Sequence, residues 1–448
     1  MGRSSTTRRG PLPRPTVRAD DSTLTRFAGV LPFVHFCQDL GLPSLLGQVA
    51  PCGRKRVHGV GHVLFAFVVA SVLGVQRLAH LDWCSGDALL LKLLRLSSWP
   101  VRKVFSSALA GVTDAGLALL LDILTGLGVR NLAGAPAAVL DFDSTAVVSF
   151  GEQEGAEFGY SGKGRNRRRH HPLVASVAEG RTVVHARYRD GSAVDAAEAT
   201  GFFAETIARV RARLPGAAIS VRADSGFWSA RMCAWLLDQG LPFACSMPLH
   251  AGVKLLLWMA EFTRVDGDDE DTEVATIPGA QLGMDARVKV VVVRRRVHDP
   301  GAPPPGKVVP ADLEWRYQAV VTNLSWDAVD AWRFYNDRGD CERVFKVGKG
   351  ALGLANLVSQ DFRANTVAFL LRLVAYNADA LFQRHAEDAA AAAAQPVRRV
   401  GLAARQPRLY HLAGRLLREH GRWVLRLPAS RLVADLWRFY DPGGFSTA

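Results

Sequence analysis

The sequence predicts an α/β protein in which helices flank a mixed sheet, preceded by a helical N-terminal region. Three observations predict this fold class. Apolar residues recur three and four positions apart from Leu24 to Val129, which is the spacing of amphipathic helices. From Ala137 to Met247, short apolar runs typical of strands alternate with two helical segments, in the order strand, strand, strand, helix, strand, helix, strand. Between about 255 and 325, further apolar runs and a Pro-rich turn predict a β-rich insertion.

The individual elements follow from the same patterns. Strands of the sheet are predicted at 137–143, 173–177, 182–188, 219–224 and 242–247. Helices are predicted at 196–214 and 230–239, and strands of the insertion at 287–297 and 314–322. A continuous helix from 327 to 347 and another near 366–384 complete this region. A run of six alanines at 389–394 is either a linker or a helix extension.

Composition divides the chain into four regions. Residues 1–20 contain five arginines, one acid and no periodic pattern, so we predict a flexible basic arm. The helical region spans 21–134, and the α/β region, with its insertion, spans 135–385. Residues 386–448 form a linker followed by a basic C-terminal region.

The overall charge of the protein indicates the kind of ligand that it binds. The 448 residues include 55 Lys and Arg against 42 Asp and Glu, a formal net charge of +13. So basic a protein commonly binds polyanions, and nucleic acid is the first candidate. The six cysteines include no Cys-x-x-Cys pair, which favours a reducing compartment. The longest apolar run, 13 residues from Val63, is shorter than the roughly 20 residues of a membrane helix. We therefore expect a cytoplasmic protein with no membrane partner.

Acidic residues lie at three places where a hydrophobic core alone would not favour them. Asp141 and Asp143 end an apolar strand, and the alternation of side chains along a strand puts both on one face. Asp224 closes another apolar strand, and Glu342 lies in a predicted helix. Clustered carboxylates repel one another unless cations neutralise them, and Mg²⁺ prefers such oxygen ligands. Two metal ions held by these acids would serve phosphodiester chemistry.

The sequence around these acids resembles the DDE transposases of bacterial insertion sequences, of the group 1 type, which have an RNase H-like catalytic core. Leu140-Asp-Phe-Asp-Ser-Thr resembles the family's first-aspartate block, and Val221-Arg-Ala-Asp-Ser-Gly-Phe resembles the second. A set of four residues matches the spacing of the family's Tyr-Arg-Glu-Lys signature at every step: Tyr335, Arg338, Glu342 and Lys349. The resemblance extends from about 135 to 385 and implies an RNase H-like fold for that region.

The resemblance also implies roles for the acids and the partners of the protein. Asp143, Asp224 and Glu342 would be catalytic and would bind the metal, two Mg²⁺ ions with Mn²⁺ as a substitute. Asp141 is the alternative to Asp143, which we favour because in this family a Ser/Thr pair commonly follows the catalytic aspartate, as here. The implied partners are double-stranded DNA, both element ends and target, and a second copy of the chain in a homodimer on DNA. No nucleotide cofactor is expected.

Two segments are predicted to contact DNA. In a continuous helix, Arg338 and Tyr335 lie four and seven residues before Glu342, so one face would carry all three, with Lys349 two turns further on. That face would present a guanidinium and a hydroxyl to phosphates. The segment 160–171 is predicted as a loop, either solvated or in contact with phosphate. Its basic residues are Lys163, Arg165, Arg167, Arg168 and Arg169.

The expected function is that of a DNA transposase. It would bind the ends of its insertion sequence through the helical region, cleave them by metal-dependent hydrolysis and join the 3′-hydroxyl ends to target DNA, in the bacterial cytoplasm at the nucleoid. An RNase H-like nuclease or resolvase without strand transfer would use the same acids and is an open alternative. A domesticated, non-catalytic DNA-binding protein is another, although all three acids are present.

Overall fold

The computed structural model describes residues 16–50, 57–161, 164–265, 271–296 and 315–441. Most of the predicted basic arm, residues 1–15, lies outside these ranges. The N-terminal region is helical, as predicted, after one short strand. Its elements are β1 (Leu24–Thr25), α1 (Leu31–Asp39), α2 (Leu42–Gln48), α3 (Val60–Val72), α4 (Ala88–Leu93), α5 (Arg102–Ala110) and α6 (Asp114–Gly128).

The α/β region contains every strand and helix predicted between 137 and 247. These elements are β2 (Ala137–Ser144), β6 (Leu173–Val177), β7 (Thr182–Arg187), α7 (Asp195–Arg211), β8 (Ala218–Ala223), α8 (Ala230–Asp238) and β9 (Phe243–Met247). Between β2 and β6 the chain forms a separate three-stranded sheet from β3 (Val147–Val148), β4 (Glu157–Ser161) and β5 (Gly164–His170), in the order β3-β5-β4.

The main sheet is mixed, and its centre has the strand order of the RNase H-like fold. The order β7-β6-β2-β8-β9 places β2 between an antiparallel hairpin on one side and two parallel strands on the other. One face of β2 carries Ala138, Leu140 and Phe142, which pack in a buried core with α7 and α8. The opposite face carries Asp141 and Asp143, which alternate with these apolar residues. The predicted RNase H-like mixed sheet is confirmed.

The strands of the predicted insertion extend this same sheet. After α9 (Ala251–Leu257) come β10 (Thr263–Arg264), β11 (Thr272–Pro278), β12 (Lys289–Arg296) and β13 (Trp315–Thr322). They continue the sheet beyond β9 in the order β13, β12, β11, β10, all antiparallel, giving nine strands. Four successive valines of β12, 290–293, are buried, as expected for a strand covered on both faces.

The C-terminal part is mainly helical. Its elements are α10 (Ala328–Asn336), α11 (Gly339–Ala351), α12 (Phe362–Ala392), α13 (Leu402–Arg405), β14 (Gly414–Glu419), β15 (Arg422–Arg426) and α14 (Arg431–Tyr440). The predicted continuous helix from 327 to 347 is wrong, because α10 ends at Asn336 and α11 begins at Gly339. The first four of the six alanines extend α12. β14 pairs with both β1 and β15, which connects the two ends of the chain.

The long helix α12 joins the N-terminal helices to the sheet in one apolar core. Strand β7 is the edge of the main sheet, so its outward backbone groups need partners from outside the sheet. Asn377 of α12 supplies them: the Val183 N–H donates to its Oδ1 at 2.8 Å, and its Nδ2 donates to the Val183 carbonyl at 2.7 Å. Gly128 lets α6 approach the same strand, because a Cβ there would lie 2.3 Å from the Val183 oxygen.

No single helix in the described ranges is long and apolar enough to cross a bilayer. The neighbouring helices Arg102–Ala110 and Asp114–Gly128 reach the required length and composition only when they are taken together, and they are bent by 96°.

We predict that Asn377→Leu destabilises the protein. The substitution leaves the buried N–H and C=O of Val183 without partners, so the free energy of unfolding should fall by about 2–4 kcal/mol, measured by urea denaturation. Asn131→Leu, at an exposed position, is the matched control and should change it by less than about 0.5 kcal/mol. Equal effects of the two substitutions would contradict the role assigned to Asn377.

Candidate active site

The register of two parallel strands brings the first two predicted acids together. Ala223 of β8 lies opposite Phe142 of β2. One residue further along each strand are Asp143 and Asp224, at the edge of the sheet where the carboxyl ends of parallel strands meet. The negative charge of Asp224 contributes to the raised pKa of Asp143, as expected for neighbouring carboxylates. The fold therefore builds a two-aspartate site.

Asp141 forms a buried ion pair with Arg222, directly opposite it on β8. The guanidinium donates from Nε to Oδ1 at 2.6 Å and from Nη2 to Oδ2 at 2.8 Å. The third nitrogen, Nη1, donates to the Phe334 carbonyl of α10 at 2.7 Å. Burial raises the pKa of Asp141, and the hydrogen bonds and charge of Arg222 oppose this effect. Both carboxylate oxygens of Asp141 are thus held by a bidentate structural contact.

Asp143 lies one step nearer the strand end, in a different electrostatic environment. Burial and the charge of Asp224 raise its pKa to about 7, although Arg338 and a hydrogen bond from the Ser144 N–H oppose the shift. The Arg338 guanidinium lies 3.2 Å from Oδ2 of Asp143. A positive side chain therefore lies against the carboxylate in this structure.

The junction between α10 and α11 positions Arg338. The N–H of Arg338 donates to the carbonyl of Tyr335, three residues earlier, instead of continuing the four-residue helical pattern. The Tyr335 ring is buried, and its hydroxyl is hydrogen-bonded with Ser246 and Arg338. The predicted single helix face carrying Tyr335, Arg338 and Glu342 is therefore wrong, because the helix breaks between the first two. Tyr335 lies under Arg338, and its hydroxyl is not presented at the surface.

Glu342 and Lys349 lie seven residues apart on α11, which puts them on one face of that helix. Lys349 is half-buried, and its Nζ donates to the Ala146 carbonyl, just beyond β2, at 3.4 Å. Burial lowers the pKa of Lys349, and the charge of Asp143 raises it. Glu342 is exposed. Of these two residues, the structure brings only Lys349 into the electrostatic environment of Asp143.

The two aspartates have the chemistry to bind a divalent cation, but Glu342 does not lie with them in this structure. Paired carboxylates at a strand end are the hard oxygen donors that Mg²⁺ prefers, and their mutual repulsion favours a bound cation. However, no group of three His, Cys, Asp or Glu side chains within the described ranges is placed to hold a metal ion. Glu342 therefore does not join Asp143 and Asp224 in this conformation.

The prediction of a loop at 160–171 is wrong, because most of this segment forms strand β5. Lys163 lies outside the described residues, and Arg165, Arg167, Arg168 and Arg169 follow one another along this strand. The Arg167 side chain is exposed, that of Arg168 is partly exposed, and Arg169 is buried. The small sheet begins at Val147, four residues after Asp143 in the sequence.

Sequence reasoning missed Arg222 and Ser246. Arg222 stands two residues before Asp224, which on a strand puts both side chains on one face of the sheet. An arginine inside an apolar strand is rarely buried without a carboxylate partner, and this was the available signal. Ser246 gives no such signal, because its contact with Tyr335 depends on the packing of α10.

The sequence matches the family described as transposase DDE domain, group 1, over residues 13–439, and the chain belongs to this family. Among solved structures, the chain is similar to the piggyBac transposase synaptic complex with hairpin DNA. The identity is 11% and the TM-score 0.47, and the alignment covers 85% of this chain and 79% of that chain. The comparison with curated proteins found no match.

We predict opposite stability effects for the two aspartates of β2. Asp141→Asn leaves the buried Arg222 charge uncompensated and should lower the free energy of unfolding by about 3–5 kcal/mol. Asp143→Asn should instead stabilise the protein at pH 8. The pKa of Asp143 is raised to about 7 in the folded protein, so wild-type stability falls as pH rises toward 7, and the asparagine variant escapes this loss.

The measurement is urea denaturation of both variants at pH 5 and pH 8. The advantage of Asp143→Asn over wild type should be larger at pH 8 than at pH 5. Destabilisation by Asp143→Asn at both pH values, equal to that by Asp141→Asn, would contradict the distinction between a structural and a functional aspartate.

Proposed function

We propose that this protein is a DNA transposase that binds the ends of its insertion sequence, cleaves them by phosphodiester hydrolysis and joins the freed 3′-hydroxyl ends to target DNA. The observation that carries the proposal is the pairing of Asp143 and Asp224 at adjacent strand ends, with Arg338 against the first of them. Membership of the DDE transposase family supports the same reaction class.

We assign the catalytic and metal-binding roles to Asp143, Asp224 and Glu342. Asp143 is preferred to Asp141 because Arg222 already holds both oxygens of Asp141. The three acids would hold two Mg²⁺ ions, with Mn²⁺ as a substitute, and Glu342 would join the aspartates through a change at the α10–α11 junction. Bound divalent cations stabilise the charge that develops on phosphate oxygens and activate an oxygen nucleophile.

The chemistry consists of two displacements at phosphorus. In the first, water forms a bond to phosphorus and the 3′-hydroxyl leaves; in the second, that 3′-hydroxyl attacks a target phosphodiester and displaces another 3′-oxygen. Each displacement exchanges one P–O bond for another, so no nucleotide cofactor is needed. Arg338 and Lys349 would bind phosphates beside the scissile bond, and Tyr335 would act by positioning Arg338.

The basic surfaces around the site would bind the double-stranded DNA. The exposed arginines of β5 would form part of this surface, and the helical region 21–134 and the basic region 386–448 pack together through β1 and β14. Joining two element ends to one target requires two catalytic sites, so we propose a homodimer on DNA. The substrate places this activity at the nucleoid in the bacterial cytoplasm.

We predict that Asp143→Asn, Asp224→Asn and Glu342→Gln each abolish cleavage of a labelled element end. Each substitution removes a ligand charge with almost no change in shape, so end binding in a gel-shift assay should persist. Asp238→Asn, an exposed substitution on α8, is the matched control and should cleave like wild type. Full cleavage by Glu342→Gln would remove Glu342 from the assignment. Wild-type cleavage without joining of 3′-hydroxyl ends would favour the nuclease alternative.

We predict that Arg338→Ala lowers strand transfer by about 10–100-fold, because it removes charged hydrogen bonds to phosphate. Arg338→Lys should recover activity only in part, since lysine keeps the charge but loses the planar, bidentate geometry. Arg343→Ala removes the same charge from the same region. Arg343 is exposed and borders a cavity with Tyr376 and Gln383 of α12, away from Asp143, so it is the control. Equal defects for Arg338→Ala and Arg343→Ala would mean that only bulk charge matters.

A further inference from the structure

The C-terminal end of α11 is held by two glutamine side chains from distant parts of the chain. The last carbonyls of a helix have no partner within the helix, so groups from outside it must satisfy them. On α11, the Gly350 carbonyl accepts a hydrogen bond from Nε2 of Gln76 at 2.7 Å, and the Ala351 carbonyl accepts one from Nε2 of Gln406 at 3.1 Å. Gln76 lies 274 residues before its partner, in the segment after α3, and Gln406 lies 55 residues after its partner, directly beyond α13.

Both glutamines also join the end of α11 to other helices. Nε2 of Gln406 donates a second hydrogen bond, to the Val72 carbonyl at the end of α3, at 3.0 Å. The backbone carbonyl of Gln76 accepts a hydrogen bond from Nη2 of Arg372, on α12, at 2.9 Å. A Cβ on Gly353, two residues after α11, would lie 2.7 Å from the Cβ of Gln76, so the chain that leaves α11 lies directly against this residue. The end of α11 is therefore connected to α3, to α12 and to the segment after α13.

Arg372 makes this arrangement rigid. Its side chain is buried, and its guanidinium also donates from Nη1 to the carbonyl of Asn356, in the segment that follows α11. Burial lowers the pKa of Arg372 to about 10, because the charged form is less favourable in the protein interior than in water. A buried cation is tolerated only where its hydrogen-bond acceptors stay in place. The carbonyls of Gln76 and Asn356 are therefore fixed on two sides of this guanidinium.

Lys349 lies in the last turn of α11, the turn that the two glutamines hold. Its Nζ donates to the Ala146 carbonyl at 3.4 Å, and the charge of Asp143 acts on it. A long lysine side chain has little rigidity of its own, so the place of its ammonium group depends on the backbone that carries it. A shift of the last turn of α11 would move this ammonium group relative to the two aspartates.

We propose that Gln76 and Gln406 are positioning residues for the reaction: they hold the last turn of α11 so that Lys349 reaches a phosphate beside the scissile bond. The proposal rests on the transposase function proposed above and on the role assigned there to Lys349. Gln76 belongs to the helical region 21–134 and Gln406 to the basic region 386–448, the two regions proposed to bind the element end. The two amides therefore connect the DNA-binding regions to the lysine at the site.

The test is single-turnover cleavage of a labelled element end by the full chain, with methionine in place of both glutamines. Methionine is similar in length to glutamine but cannot donate a hydrogen bond. The Gln76→Met, Gln406→Met double variant should lower the cleavage rate by about tenfold at saturating DNA, while its affinity for the end in a gel-shift assay stays that of wild type. Gln239→Met is the matched control, because Gln239 is exposed at the end of α8, and this variant should cleave like wild type.

Combination with Lys349→Ala tests whether the two amides act through Lys349. Lys349→Ala alone should slow cleavage, because it removes a phosphate ligand. Adding both methionines to Lys349→Ala should slow cleavage no further, since the side chain that the amides position is already gone. Defects that multiply would overturn the proposal, and so would normal cleavage by Lys349→Ala.

Hydrogen exchange of the protein without DNA gives a readout that does not depend on activity. In the double variant, peptides from residues 343–352 should exchange about 5–30-fold faster than in wild type, because the last turn of α11 opens more often. Peptides of α8 should exchange as in wild type. Equal acceleration in both helices would mean that the glutamines only stabilise the whole fold, and unchanged exchange in 343–352 would mean that they do not hold α11; either result overturns the proposal.

Failure of this proposal and failure of the proposed function give different results. If the double variant cleaves and joins ends at the wild-type rate, the glutamines have no part in the reaction and the transposase function stands. If wild-type protein neither cleaves nor joins element ends, the proposed function itself fails, and the reaction roles of Lys349 and of both glutamines fail with it.

Discussion

The bidentate ion pair between Asp141 and Arg222 is the contact on which the candidate site depends. It joins the two strands that carry Asp143 and Asp224, and through the Phe334 carbonyl it also holds the end of α10. Burying two charges is unfavourable unless their geometry and hydrogen bonding are nearly complete, so this contact tolerates only one register of β2 against β8. One step of slippage would separate the aspartates and displace the helix that leads to Arg338.

Arg338 links the end of α10 to the electrostatics of the two aspartates. The pair of carboxylates at the strand ends needs a positive partner, and in this structure the guanidinium provides one at 3.2 Å from Asp143. In the proposed reaction, a DNA phosphate would compete with Asp143 for the Arg338 guanidinium. Binding of phosphate by Arg338 would free Asp143 for a cation, and a cation at Asp143 would free Arg338 for phosphate. Substrate and metal would then favour one another's binding, as linkage requires.

The sequence was sufficient for the central strands and for the two aspartates at their ends, because apolar alternation and strand-end carboxylates are local patterns. It failed where structure depends on contacts between distant segments. At the break before Gly339, Arg338 forms an ion pair with Asp143 of β2, and the segment predicted as a basic loop is a strand that also pairs with β3. The sheet pairing of the 255–325 strands with β9, and the role of Arg222, likewise depend on register that no single segment encodes.

The position of Glu342 follows from the same electrostatics. Burial and one neighbouring carboxylate already raise the pKa of Asp143 to about 7, so a third negative charge beside it would be more unfavourable still. Without added positive charge, the helix that carries Glu342 is more stable with that side chain in water, where it is exposed here. The break between α10 and α11 lets Arg338 stay on Asp143 while Glu342 stays outside. The third acid is therefore expected to approach only together with cations, which would make assembly of the complete site a consequence of metal and substrate binding.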